Sequence, residues 1–207
     1  MNSRRQQQSR AQMTHDVLLE SAKSFLGRSS PDALRIETIC RECDTNTASA
    51  YYHFGSKEGL ITKAYVELFR ENSEPDVAGF EYLTQIASSV DEVVDAVLAS
   101  IINPLTSEAR KVNRNIVSRI FAASLTDPDL ASELAEMQKN LSNRAATAIE
   151  KLQQRLGFKS DLDPHQLAVI LFTISAGRSM NDTYADPESD ESWAQMSAAL
   201  IRSLITR

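Results

Sequence analysis

From residue 9 onward the apolar positions return every three or four residues, the period of helices that each bury one face. Val17, Leu18, Ala22, Phe25 and Leu26 mark a first helix from about Ser9 to Gly27, with Gly27 as its stop. Two short segments follow, Arg35 to Glu42 and Asn46 to His53, separated only by Cys43-Asp44-Thr45. Ser56 is placed to cap a further helix from Lys57 to about Asn72, whose Leu60, Ala64 and Leu68 share a face. Pro75 and Gly79, in an acidic stretch, then read as a hinge. Helical spacing resumes from Val90 to Ile102, continues past Pro104 from Leu105 to Ala123, and restarts at Asp127-Pro128-Asp129 to run to Gly157. Asp163-Pro164 opens the next helix. Its Leu167 to Phe172 run is apolar all round, which predicts cover on more than one side, and Ser175-Ala176-Gly177 would let a neighbour approach closely. After a loop at Asp186 to Asp190, a last helix carries Trp193, Met196, Leu200, Ile201 and Leu204. No strand or internal repeat emerges, so the expected fold class is all-α. Residues 1–10, polar and Gln-rich, are expected to form a disordered arm.

Two short helices around a three-residue turn are the sequence form of a helix-turn-helix, whose second helix enters the DNA major groove. The block Ile39-Cys40-Arg41-Glu42-Cys43-Asp44-Thr45-Asn46-Thr47-Ala48-Ser49-Ala50-Tyr51, and above all the following Tyr52-His53-Phe54-Gly55-Ser56-Lys57-Glu58, resembles the tetracycline-repressor (TetR-like) family of bacterial regulators. Two positions depart from that pattern. Asp44 stands where the family has a turn glycine, and Asp tolerates a left-handed backbone better than most residues. Ala50 replaces a leucine and removes volume under the recognition helix.

Composition changes this picture little: 42% apolar and 24% charged residues are ordinary for a globular protein. No run of eighteen apolar residues suggests a membrane span, and the N-terminus lacks an apolar signal region, so a cytoplasmic protein is expected. A net charge of −6 looks wrong for a DNA binder until it is divided. Residues 1–70 hold ten Lys/Arg against eight Asp/Glu, a balance of +2, whereas residues 71–207 hold twelve against twenty, a balance of −8. The basic excess sits with the helix-turn-helix, where phosphates would be neutralised. Cys40 and Cys43 form a Cys-x-x-Cys without the further ligands that a zinc site needs, and both fall where the motif wants small buried residues. Neither a metal nor a cofactor is implied. Asp163 and His165 are neighbours, but no Gly-x-Ser-x-Gly elbow or phosphate loop exists, so catalysis is not expected.

The candidate DNA contacts follow from position. Asn46 caps the recognition helix; Thr47 and Ser49 on its leading turn can meet base edges, and Ala48 can pack on a thymine methyl. His53 can reach a phosphate or plug the end of a short helix, and Phe54 is a core residue. Lys57, in the first turn of its helix, combines a cation with free backbone N–H groups and is a strong phosphate candidate; Arg35, opening the motif, is a weaker one. The resemblance adds Tyr51, partly packed with its hydroxyl toward phosphate, and Tyr52, facing the DNA backbone more openly.

The same resemblance implies that the C-terminal helices form a dimer interface and often a ligand cavity. The expected organisation is thus an arm (1–10), a three-helix DNA-binding domain (11–56), a connecting helix (57–74), and an effector-binding and dimerisation domain (75–207). The last two helices would build the dimer. Phe80, Tyr82, Phe121 and Phe172 would line an apolar pocket, with Asn113, Ser175, Arg178 or Asn181 as polar contacts; Arg178 in an apolar helix hints at an acidic ligand group. The function expected is a homodimeric repressor released from a palindromic, double-stranded operator by a small molecule. The alternative is a helix-turn-helix or architectural protein whose C-terminal domain only dimerises.

Overall fold

The computed structural model describes residues 2–102, 107–181 and 190–204, and among them every regular element is a helix. In order these are α1 (Asn2–Arg28), α2 (Ile36–Glu42), α3 (Thr47–Phe54), α4 (Lys57–Ile86), α5 (Val90–Ile102), α6 (Ser107–Ser124), α7 (Pro128–Leu156), α8 (Pro164–Asn181) and α9 (Asp190–Ser203), with one 3-10 turn at Pro31–Ala33. The breaks expected around Pro104 and at Asp186 to Ser189 fall outside the described residues. No helix among the described residues is long and apolar enough to cross a membrane.

Two expectations are corrected. Residues 2–10 belong to α1 rather than to a disordered arm. Once the segment from Leu18 to Leu26 has nucleated a helix against the core, adding polar turns of Gln, Arg and Ser in front of it is nearly free of further nucleation cost. The fourth helix does not stop near Asn72; α4 passes through Pro75 and Gly79 to Ile86. A proline inside a helix removes one hydrogen bond and strains the preceding turn. Here the loss is countered by Arg144 of α7, whose guanidinium holds Glu74 at 2.7 Å on one side of the proline and Glu81 at 2.8 Å on the other.

Contacts divide the chain into Met1–Arg70 with Ala123–Leu134, and Glu71–Ala122 with Ala135–Arg207. The division falls within α4, and α4 and α7 supply residues to both units. The first unit is centred on Leu18, Ala22, Leu26, Leu34, Ile39 and Leu60, all at most 1% exposed. Within it, Asp127 caps α7 by accepting from the Asp129 and Leu130 amides at 3.1 and 3.0 Å, and Lys63 pairs with Glu133 at 2.7 Å. The second unit has one core cluster around Val93, Val94, Val97, Leu152, Phe158 and Ile201, and another around Ala145, Ile149, Leu167 and Ala168. α9 is fastened to α5 by Arg202, which donates to Asp91 and Asp95 at 3.0 and 3.2 Å. The all-round apolar run of α8 is covered only in part: Leu167 and Ala168 are buried, while Val169 is 43% exposed.

Candidate nucleic-acid interface

The angle of α3 is set by a short chain of local interactions. α2 ends at Cys43, and the chain turns through Asp44 at φ +49°, the one non-glycine residue with a left-handed backbone among those described. The Thr45 amide then donates to Cys40 O at 2.9 Å, closing the turn. Asn46 enters with an extended backbone, and its side-chain oxygen accepts from the Ser49 amide at 2.9 Å, supplying one of the partners that the first turn of a helix lacks. At the far end Gly55, at φ +74°, lets its own N–H donate to Tyr51 O. Ser56 caps α4 by accepting from the Gly59 amide at 2.9 Å.

Packing turns this hairpin of helices into a fixed surface. Ala50 and Phe54 are buried, so the small side chain at 50 sits at a point of close approach. His15 of α1 stacks on the Phe54 ring at 4.9 Å and meets His53 edge-on at 5.8 Å. Ser21 of α1 donates to Glu42 at 3.0 Å, and the Cys43 thiol donates to Val17 O at 3.3 Å. Cys40 is buried, which pushes its thiol pKa up and leaves it a packing residue. Among the described residues no three His, Cys, Asp or Glu gather where a metal ion could be held.

The predicted contact residues divide by exposure. Ala48, Tyr51 and Tyr52 face outward, the two tyrosines at 48% and 82% exposure; Thr47 and Ser49 are half-buried beside them. Asn46 is exposed but its side chain is engaged in the cap. His53 is half-buried against His15 and Tyr52, so it plugs the end of α3. Arg35 donates to Asp32 O and Leu34 O at 2.8 and 3.1 Å and thereby braces the 3-10 turn. Lys57 opens α4, half-buried, and makes no ion pair among the described residues. Within this interface the sequence reading left Gly59 unremarked, where a Cβ would lie 2.1 Å from Phe54 O. Only the pairing of a cap at Ser56 with the end of α3 reveals why a glycine stands there.

In the C-terminal unit Phe80 lines an open cleft of about 370 Å³ between α4 and α5, together with Tyr82. Phe172 and Ser175 line an adjoining recess of about 30 Å³ that also includes Phe80. The structure does not bring the other expected pocket residues there. Asn113 is exposed on α6, and Phe121 is 42% exposed, because the buried face of that helix runs through Ile116 and Ile120. Arg178 is 7% exposed and lies over the Trp193 ring, 5.6 Å from its centroid, away from the cleft lining. The Asn181 side chain lies outside the described residues. Asp76 and Ser100 line the cleft without having been singled out, since the face that α4 shows to α5 depends on contacts remote in sequence.

A model of bacterial regulatory proteins of the tetR family matches residues 18–64, from the middle of α1 into α4. The HTH-type transcriptional regulator UidR of Escherichia coli (strain K12) is 24% identical over 199 residues, 96% of either chain. Among solved structures, Salmonella enterica GusR superposes with a TM-score of 0.70 at 22% identity, over 92% of this chain and 94% of its own. A TetR transcription regulator from Haloarcula marismortui reaches 0.69 at 13% identity, over 94% of this chain and all of its own. The helical architecture is therefore shared beyond the matched segment, whereas the motif residues are concentrated within it. The turn at Asp44, the cap at Asn46 and the outward tyrosines of α3 all lie within residues 18–64, the segment that matches the tetR family of bacterial regulatory proteins, and over nearly its whole length the chain is similar to an HTH-type transcriptional regulator.

Proposed function

We propose that the protein represses transcription as a homodimer on a palindromic operator and is released when a small molecule occupies its C-terminal unit. The observation that carries the DNA half of this reading is the two-sided character of α3. Ala50 and Phe54 anchor it, while Ala48, Tyr51 and Tyr52 stand outward. In this reading Thr47, Ala48 and Ser49 meet base edges, the tyrosines and Lys57 meet phosphates, and Asn46, Arg35 and His53 chiefly hold the geometry while lying at the phosphate-facing edge. Hydroxyl and methyl contacts from one eight-residue helix bind weakly, so the site must be duplicated.

The second copy is supplied with a surface. Val169 on α8 and Met196 and Leu200 on α9 are 43%, 55% and 45% exposed, an apolar set that an intersubunit four-helix bundle would cover. Phe80, Phe172 and Ser175 would contact the effector. The effector acts by binding better to a form of the dimer that no longer fits the operator, which shifts the population without new chemistry. The protein is a binder rather than a catalyst, working in the cytoplasm where its DNA is.

The test is Lys57→Ala, measured by DNA binding over a range of salt. A lysine on phosphate predicts weaker binding to all sequences and a log–log salt slope reduced by about one unit per half-site. An unchanged slope removes Lys57 from the interface.

A further inference from the structure

The positive balance of residues 1–70 comes from very few positions. Arg4, Arg5 and Arg10 are three of its ten Lys/Arg, and without them residues 11–70 hold seven against eight Asp/Glu, a balance of −1. Most of those seven are engaged. Lys23 pairs with Glu20 at 2.7 Å, Lys63 with Glu133 at 2.7 Å and Arg70 with Glu67 at 2.6 Å. Arg28 donates to Ser24, and Arg35 to the Asp32 and Leu34 carbonyls. Arg41 and Lys57 are left, a small complement for displacing the counterions of a duplex.

The packing of α1 shows on which side its early turns leave the core. Read backward from Ser21, its partners shift from the end of α2 to the recognition helix. Ser21 donates to Glu42, the Val17 carbonyl accepts from the Cys43 thiol in the turn, and His15 stacks on Phe54 and meets His53, itself beside the outward Tyr52. Ahead of His15, residues 8–10, 12 and 13 are exposed. From His15 back to Asn2 the helix rises about 20 Å, the length of roughly six base pairs.

Nothing along this run cancels its charge. The first acidic residue is Asp16, which accepts from Gln12 at 2.8 Å and lies 3.0 Å from His15 Nδ1. The positions three and four away from each arginine hold Asn, Gln, Ser, Thr or Met, so no ion pair forms along the helix. Arg10 is exposed and makes no ion pair among the described residues. Asn, Gln and Ser are also the neutral side chains that bond phosphate oxygens.

We infer that the first turns of α1 form a second DNA contact, in which Arg4, Arg5 and Arg10 neutralise phosphates flanking the half-site that α3 meets. Charge complementarity and continuity with the rim of α3 select a duplex backbone as the occupant. The contact supplies affinity and orientation, and leaves base discrimination to Thr47, Ala48 and Ser49. Its placement outside the half-site rests on the two-fold operator reading above.

The experiment compares full-length wild type with the triple variant Arg4→Gln, Arg5→Gln, Arg10→Gln by anisotropy over a range of salt. The duplexes either end at the half-sites or extend one helical turn beyond them. On the extended duplex the variant should bind all sequences more weakly, with a log–log salt slope smaller by about two to three units per half-site. On the trimmed duplex the two proteins should show equal slopes. Gln and Arg have similar helix propensities, so the helical circular dichroism should be unchanged, and lysine at the same three positions should keep the wild-type slope.

An unchanged slope on the extended duplex, or a reduction that persists on the trimmed one, overturns the contact. Lys57→Ala, run in parallel, separates this inference from the reading it rests on. A slope lowered by Lys57→Ala and not by the triple variant refutes the α1 contact alone. Wild type that binds the extended operator no better than unrelated DNA refutes the operator reading, and with it any contact defined by the half-sites.

Discussion

Replacing Gly59 by alanine tests whether the end of the recognition helix is locked to the start of α4. The added Cβ would stand 2.1 Å from Phe54 O and 3.3 Å from Phe54 C, so the oxygen must retreat by roughly 0.9 Å before contact becomes tolerable. Neither partner can rotate away. The oxygen is backbone and already accepts from the Ser56 amide at 2.8 Å, and the Gly59 amide is held by Ser56 Oγ at 2.9 Å. Overpacking of this kind costs about 3 kcal/mol at the upper end of its usual range. Alanine's helix preference over glycine returns about 1 kcal/mol. The net loss is about 2 kcal/mol, or a fall of roughly 4–8 °C in the calorimetric midpoint for a chain of this size. Because Phe54 closes α3, operator affinity should fall as well. Gly79→Ala is the internal control: it lies inside the same helix with nothing within 4 Å of its added Cβ, and should stabilise by about 0.5–1 kcal/mol. A Gly59→Ala protein that melts at or above the wild-type temperature with unchanged operator binding would refute the lock.

Three further changes probe the remaining parts of the account. Asn46→Ala removes the cap of α3 and should lower stability by about 1 kcal/mol in a denaturant titration, with operator affinity falling further than Asn46→Ser. Arg144 holds the Glu81 carboxyl below the usual carboxylate range by hydrogen bonding, so the pair stabilises the fold above the unfolded carboxyl pKa of about 4.5 and less as pH falls through the lower folded value. Both groups are partly exposed, at 32% and 43%, which limits the effect to about 1 kcal/mol; wild type should lose stability below pH 4.5 more steeply than Arg144→Gln, and parallel pH profiles would count against the pair. Met196→Lys combined with Leu200→Lys should shift sedimentation from dimer toward monomer while leaving the helical circular dichroism in place.

How far the sequence carried each element depends on the range of the forces that make it. The helix-turn-helix was legible because its determinants are local: Asp44 takes the left-handed turn, Asn46 caps α3 by accepting from the Ser49 amide three residues on, and Gly55 ends it. Ser56 and the start of α4 at Lys57 were read for the same reason. α4 was misjudged where a local rule met a distant partner. Pro75 and Gly79 signal a break in any isolated peptide, and the ion pairs from Arg144, some seventy residues away, are invisible in that window. Helical spacing identified Phe80 and Phe172 as inward-facing but equally promoted Phe121, because periodicity fixes which residues share a face and not what that face meets. Asp76 stayed unnoticed for a related reason: a carboxylate beside a proline reads as a surface loop until α5 is placed against it.

The central claim is that two copies of α3 read a two-fold DNA site. Selection of bound DNA from a random pool by the purified wild-type protein, at physiological salt and without added small molecules, tests it most directly. The account predicts enrichment of a palindrome whose half-sites are separated by about one helical turn or a multiple of it. Recovery of unenriched sequence, held only by salt-sensitive binding, would contradict it.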